Sequence, residues 1–132
     1  MSDMKPVARP LSPHLQIYKP MLSMMMSIMH RITGVALSGG LLLFVWWLLA
    51  AALSDDYFNL VQMLFGHWLG KIVLFGFTWA LIHHTLGGIR HFVWDVGRGY
   101  DLNTVETMVW WSLIGGLVLT VALWALGYWV MA

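Results

Sequence analysis

ITGVALSGGLLLFVWWLLAAAL, residues 32–53, decides the fold. It carries no charged side chain and, as a helix, is long enough to cross about 30 Å of hydrocarbon. Upstream, MLSMMMSIMHRITG offers no breaker between Met21 and Gly34, so the helix is expected to begin near Met21. Two more apolar segments follow. One lies between Lys71 and Arg90, interrupted only by His83 and His84; the other runs from about Met108 to Met131 without a charge. Between the first two, SDDYFNLVQMLFGHWLG (54–70) is amphipathic and suits a short interfacial helix. The second connector, DVGRGYDLNTVE (95–106), is short and polar. No internal repeat and no second soluble domain can be read. The expected organisation is an N-terminal arm, residues 1–20, followed by a membrane-anchor domain, residues 21–132, with spans at about 22–53, 66–93 and 106–131.

Composition agrees with an all-α integral membrane protein. Sixty per cent of the 132 residues are hydrophobic and 10% are charged, against about 25% charged in a soluble domain. Such a chain cannot cover itself with polar surface, so the bilayer has to serve as its solvent. A net charge of +1 excludes a nucleic-acid partner, which would demand a strong basic excess. Cysteine is absent, so this chain ligates no iron–sulfur cluster through thiolates. MSDMKPVARPLSPH lacks the character of a signal or transit peptide.

Charge asymmetry sets the expected orientation. Lys5, Arg9, Lys19 and Arg31 precede or begin the first span, and Arg90 and Arg98 lie between the second and third; Asp55, Asp56 and Lys71 sit on the other side. The N-terminus is therefore expected in the cytoplasm and the C-terminus in the periplasm. Trp110 and Trp111 would mark the inner interface, and Trp46, Trp47 and Trp129 the outer half, although tryptophans fill helix–helix contacts equally well.

Ionisable residues at membrane depth are costly and are usually retained for function. They concentrate in HHTLGGIRHFVWD, residues 83–95. On a helix, His84, Gly88, His91 and Asp95 fall within about 20–40° of one line. His83 points about 100° away, so it and His84 cannot both ligate one iron. Gly87 and Gly88 suit a macrocycle lying against the helix beside a ligand. On the first span, Ser27, His30, Arg31 and Gly34 share one face. The topology brings these two clusters to the same depth, with His84 about 10 Å further inside. Met21 and Met24–Met26 suit soft packing better than metal ligation. His14 and His67 are read as interfacial. No nucleophile–base pair, phosphate loop or metalloprotease motif is present.

RPLSPHLQIYKPMLSMMMSIMHRITG, residues 9–34, resembles the N-terminal signature of the cytochrome b subunit of succinate dehydrogenase, complex II. HTLGGIRHFVWDVG, residues 84–97, resembles its second signature: His, three residues, Gly, an aliphatic, Arg-His, then Asp. The SPH-x-x-IY form is similar to the mitochondrial and alphaproteobacterial branch.

The resemblance implies one of two membrane anchors beneath a flavoprotein subunit and an iron–sulfur subunit, which carry the FAD and the clusters. Electrons from succinate would reach ubiquinone at the inner membrane face, with a haem b shared between the two anchors. It implies His84 as one axial haem ligand, with the second supplied by the partner anchor, and Gly88 as clearance on the haem face. Ser27 and Arg31 match the family's quinone-site positions. His30 and Arg31 can equally meet haem propionates. His91 and Asp95 suit proton delivery to the quinone, unless Asp95 only pairs with Arg90 or Arg98. The arm up to Pro20 is expected to strap onto the iron–sulfur subunit. The implied location is the bacterial inner membrane, multi-pass, or the mitochondrial inner membrane in a eukaryote. Two alternatives stay open: an anchor of quinol:fumarate reductase, and a haem-free structural anchor.

Overall fold

The computed structural model describes residues 19–132. Residues 1–18, and with them most of the expected docking arm and His14, lie outside the described residues. Four helices follow one another: α1 (Leu22–Leu53), α2 (Asp55–Gly66), α3 (Trp68–Asp95) and α4 (Leu102–Met131). Helices α1, α3 and α4 are long and apolar enough to cross a membrane, with mean hydropathies of 2.1, 1.5 and 1.9 in their most apolar windows. The amphipathic connector is the short helix α2. No strand occurs among the described residues.

Single residues make the corners. Ser54 leaves the helix at φ −167, ψ 154, and its hydroxyl accepts from the Tyr57 amide at 3.2 Å. Asp55 and Asp56 then set negative charge against the unpaired amides of the first turn of α2. His67, also extended, caps α3 by accepting the Leu69 amide at 3.4 Å. These two extended residues fold α2 back onto α1 and α3. Two indoles fasten it there: Trp46 donates to the Tyr57 hydroxyl at 2.7 Å and Trp47 to the Gln62 carbonyl oxygen at 3.0 Å. The Trp46–Trp47 pair is thus engaged in helix packing, whereas Trp111 and Trp129 are exposed.

Between α3 and α4 the chain reverses on Gly97 and Gly99, at φ +76 and +75, a region that side chains avoid. The Gly97 amide donates to the Trp94 carbonyl at 2.8 Å, closing the helix end. Asp101 caps α4 by accepting the Thr104 amide at 3.0 Å. Hydrogen bonding from Thr104 holds its carboxyl below the usual carboxylate range.

Two boundaries depart from the hydropathy reading. α3 covers residues 68–95 rather than 66–93, because His67 provides the cap. α4 begins at Leu102 rather than 106, because Asp101 starts a polar first turn that hydropathy does not register.

Helix α3 is central, touching α1, α2 and α4. Toward it, α1 buries Met26, Thr33 and Gly40, spaced seven apart, and the Phe77 ring occupies the space a side chain at Gly40 would need. On the other flank, Trp124 donates to the Thr78 hydroxyl at 3.2 Å, Gly116 lies against His83, and Ser112 meets Arg90. The remaining surface is apolar, with Leu42, Phe92 and Val130 each more than two-thirds exposed. In water such a coat would aggregate; in a bilayer it faces lipid and partner helices.

Candidate functional site

Thr33 begins the site. Buried on α1, its hydroxyl lies 3.0 Å from the Met29 carbonyl and 2.9 Å from that of His30, the back-bonding usual for threonine inside a helix. Across the α1/α3 seam, His84 brings its Nδ1 to 3.1 Å from the His30 carbonyl and 3.2 Å from the Thr33 hydroxyl. A carbonyl oxygen can only accept. The contact is attractive only when Nδ1 carries the proton, which leaves the lone pair on Nε2. Nε2 has no hydrogen bond among the described residues and is not sealed off. An imidazole whose inner nitrogen donates to a backbone carbonyl is oriented and tuned to ligate iron through the outer one.

The seam is built around imidazole rings. His30 stacks on His84 with centroids 3.9 Å apart and planes 8° from parallel, and lies 5.3 Å from the His91 ring. Two glycines make this approach possible. A Cβ at Gly34 would stand 3.1 Å from His84 Cε1, and one at Gly87 would stand 2.5 Å from His30 Nδ1. Gly87 therefore receives the His30 ring. Gly88 is different: a Cβ there would meet nothing within 4 Å, so that flank of α3 is open.

Ser27 and Arg31 are both exposed one turn apart on α1, beside the His30 face and pointing away from this chain's core. His91 and Asp95 are likewise exposed, one turn apart near the end of α3. His91 joins the imidazole cluster and packs edge-on against Trp94 at 5.3 Å. Arg90 does not pair with Asp95. It turns inward to Ser112 at 3.2 Å and to the face of Trp94 at 5.3 Å, 95% buried. His83 faces α4, is 1% exposed and stacks on Trp79 at 5.1 Å. Sequence reasoning missed Thr33 and Gly34 as the fittings of His84, and it took Arg90 for an interfacial charge. The β-branched hydroxyl and the glycine were visible within the first signature; their contact with α3 was not.

His84 with an open Nε2 and a clear flank at Gly88 fits one axial ligand of a haem. Among the described residues no three ligand-type side chains converge on a metal ion.

Comparison with known proteins agrees. The family model described as succinate dehydrogenase/fumarate reductase transmembrane subunit matches residues 5–124. The succinate dehydrogenase cytochrome b556 subunit of Paracoccus denitrificans is 42% identical over 121 residues, 92% of this chain and 93% of that one. Its counterpart from Rickettsia conorii is 40% identical over 116 residues, 88% of this chain and 90% of that one. The mitochondrial cytochrome b560 subunit of Sus scrofa is 46% identical over 96 residues, 71% of this chain and 57% of the relative. With two curated relatives matched nearly end to end and three membrane-length helices, this chain belongs to the family of succinate dehydrogenase/fumarate reductase transmembrane subunits.

Proposed function

We propose that this chain is the haem b-holding anchor of succinate:ubiquinone oxidoreductase, passing electrons from an iron–sulfur partner subunit to quinone. The observation that carries the reading is the placement of His84: Nδ1 lies 3.1 Å from the His30 carbonyl, which favours the proton on that nitrogen, and Nε2 has no hydrogen bond among the described residues. In this reading His84 contributes one axial ligand, a second anchor contributes the other, and Gly88 leaves room for the macrocycle. When bound, the haem supplies a one-electron store between the partner's clusters and the quinone.

The chain's own residues then have distinct tasks. The Ser27 hydroxyl donates to a quinone carbonyl. The Arg31 guanidinium, always charged, stabilises negative charge that builds on the ring during reduction. His30 and Arg31 can equally meet haem propionates. His91, in the imidazole cluster and exposed, and Asp95, one turn beyond, hand protons toward the quinone oxygen. Thr33 shares the carbonyl that orients His84. The FAD and iron–sulfur clusters belong to the flavoprotein and iron–sulfur subunits.

The basic residues around the start of α1 and the α3–α4 turn support an N-terminus in the cytoplasm and a C-terminus in the periplasm. They also support a division into an arm, residues 1–20, and an anchor, residues 21–132. Succinate is preferred over fumarate as the partner's substrate because the matched relatives carry that name. The test is a reduced-minus-oxidised absorption spectrum of the purified complex, wild type beside His84→Ala. The expected result is a low-spin b-type band in the wild type that His84→Ala abolishes. An unchanged spectrum in His84→Ala would remove the ligand assignment, and a wild type with no haem band would leave a haem-free anchor.

A further inference from the structure

Lys71 is a cation at the end of the bundle that otherwise has none. Among the described residues, Lys19 and Arg31 stand at the start of α1, and Arg90 and Arg98 lie near the far end of α3. Lys71 is the one lysine or arginine at the end that holds α2. It is exposed in the first turn of α3, where the membrane-spanning stretch begins. An ammonium at that boundary keeps its head at the level of the lipid headgroups. Within the chain it rests over the face of Tyr128, 6.0 Å from the nitrogen to the ring centroid, the outer limit of a cation–π contact.

Beside Lys71 a groove of about 500 Å³ runs between α2, α3 and α4. Helices α2 and α4 do not pack on each other, which leaves this gap. Its polarity changes with depth. Lys71 and Tyr128 lie at the rim, in the first turn of α3 and the last turn of α4. Leu74, Trp124 and Leu123 lie deeper, by about 4.5–7.5 Å of helical rise. Trp124 spends its N–H on the Thr78 hydroxyl, so its ring adds no free donor to the floor. Gln62 gives its carbonyl oxygen to Trp47, which leaves its NH2 as a donor. No acidic residue lines the groove. Asp55 and Asp56 open the far end of α2, about 9 Å of helical rise or more from Gln62. At Gly127 the groove is open: a Cβ there would meet no atom within 4 Å.

We infer that this groove binds one phospholipid with a net negative headgroup, its phosphate on Lys71 and the start of an acyl chain along Leu74, Leu123 and Trp124. The charge of the rim selects the headgroup. Lys71, Gln62 and Tyr128 offer donors to a phosphodiester, and no carboxylate is there to receive the ammonium of a zwitterionic lipid. The order of the lining selects the chain: polar at the rim and apolar below is the order of a lipid entering a leaflet. The length of the groove selects against a helix of a partner subunit. It follows α4 only from Leu123 to Met131, about 12 Å, whereas a spanning helix needs about 30 Å. The bound lipid neutralises Lys71 and fills the gap between α2 and α4.

The test uses the intact complex, delipidated in detergent and offered phosphatidylglycerol or phosphatidylcholine of matched chains, with bound lipid counted by native mass spectrometry. Wild type should hold one phosphatidylglycerol that phosphatidylcholine does not displace. Lys71→Gln should weaken that binding about fivefold, the worth of one lysine against an anionic lipid, and Lys71→Arg should restore it. Gly127→Leu, whose side chain enters open space, should remove the bound lipid of either kind while every subunit stays assembled. Lipids held elsewhere on the complex are common to all variants and cancel in the difference. A lysine that only reaches into bulk headgroups predicts a Gly127→Leu complex that binds lipid as wild type does, and that result overturns the inference. Equal binding of the two lipids by wild type overturns it as well. So does a Gly127→Leu complex that sheds a subunit, which would make the groove a seat for protein.

Discussion

His83 and His84 are neighbours in sequence and opposites in the fold. His83 looks into the α3/α4 seam, packed on Trp79 and closed off by Gly116, with Nδ1 unpaired. His84 looks into the α1/α3 seam, where Nδ1 is held by the His30 carbonyl and Nε2 stays open. A rotation of about 100° per residue separates a buried packing group from a poised ligand. The lesson is that a histidine's chemistry is decided by which helix covers it. The two seams share one trait and differ in another: each buries an imidazole nitrogen without a partner, His30 Nδ1 in one and His83 Nδ1 in the other, but only the α1 seam holds an imidazole, that of His84, against a backbone carbonyl.

The largest expected effect sharpens that contrast directly. His84→Ala should abolish the b-type band of the complex, and His83→Ala should leave its position unchanged while weakening the α3/α4 packing. Loss of the band in His83→Ala with retention in His84→Ala, read by difference spectroscopy, would reverse the assignment. Next comes the fitting of the ring. A Cβ at Gly34 stands 3.1 Å from His84 Cε1, so Gly34→Val should displace the imidazole. Haem content per complex is expected between that of wild type and His84→Ala. By contrast, Gly88→Ala meets no atom of this chain within 4 Å; helix propensity favours it by about 0.8–1 kcal/mol. Any haem loss in Gly88→Ala would therefore report on the haem face and not on this chain's folding, and pigment and thermal assays on one sample separate the two.

A smaller effect is expected from Thr33→Val, which keeps the shape and removes the hydroxyl near His84 Nδ1. Polar contacts between membrane helices average about 0.6 kcal/mol, so the thermal midpoint of haem release should fall slightly while the band persists. The smallest concerns Asp101, whose cap starts the helix that presents Gly116 to His83. Its carboxyl lies below the usual range because Thr104 hydrogen-bonds to it. Its contribution is therefore present above the ordinary aspartate pKa and fades as pH falls through the depressed value. The hydrogen-exchange protection factors of the first turn of α4, taken against the intrinsic rate at each pH, should fall at acid pH in wild type; Asp101→Asn, which caps without ionising, should remove that dependence.

Much of the architecture could be read in advance because hydropathy and capping are local. The uncharged run from Ile32 to Leu53 needs no other part of the chain to be a membrane span. The amphipathic stretch SDDYFNLVQMLFGHWLG reads as a short helix on its own. The stripe of His84, Gly88, His91 and Asp95 follows from helical spacing alone. What resisted reading were residues whose meaning is pairwise. Gly87 and Gly88 are adjacent and identical in type, yet one accepts the His30 ring and the other faces open space. Arg90 counts toward an inner positive charge by position, and it is buried against Ser112 and Trp94 in the fold.

By itself, then, the sequence determined three membrane-length helices, the short helix between the first two, and the family that the two signatures point to. Only the tertiary structure decided that Thr33 and the His30 carbonyl hold His84, that His83 belongs to α4, and that Arg90 is internal. The physical reason is one of range. Hydrophobic length and helix caps are set by residues within a turn or two of each other. A tautomer, an open ligand position and a buried guanidinium depend on atoms that are brought together from residues 22 to 54 positions apart.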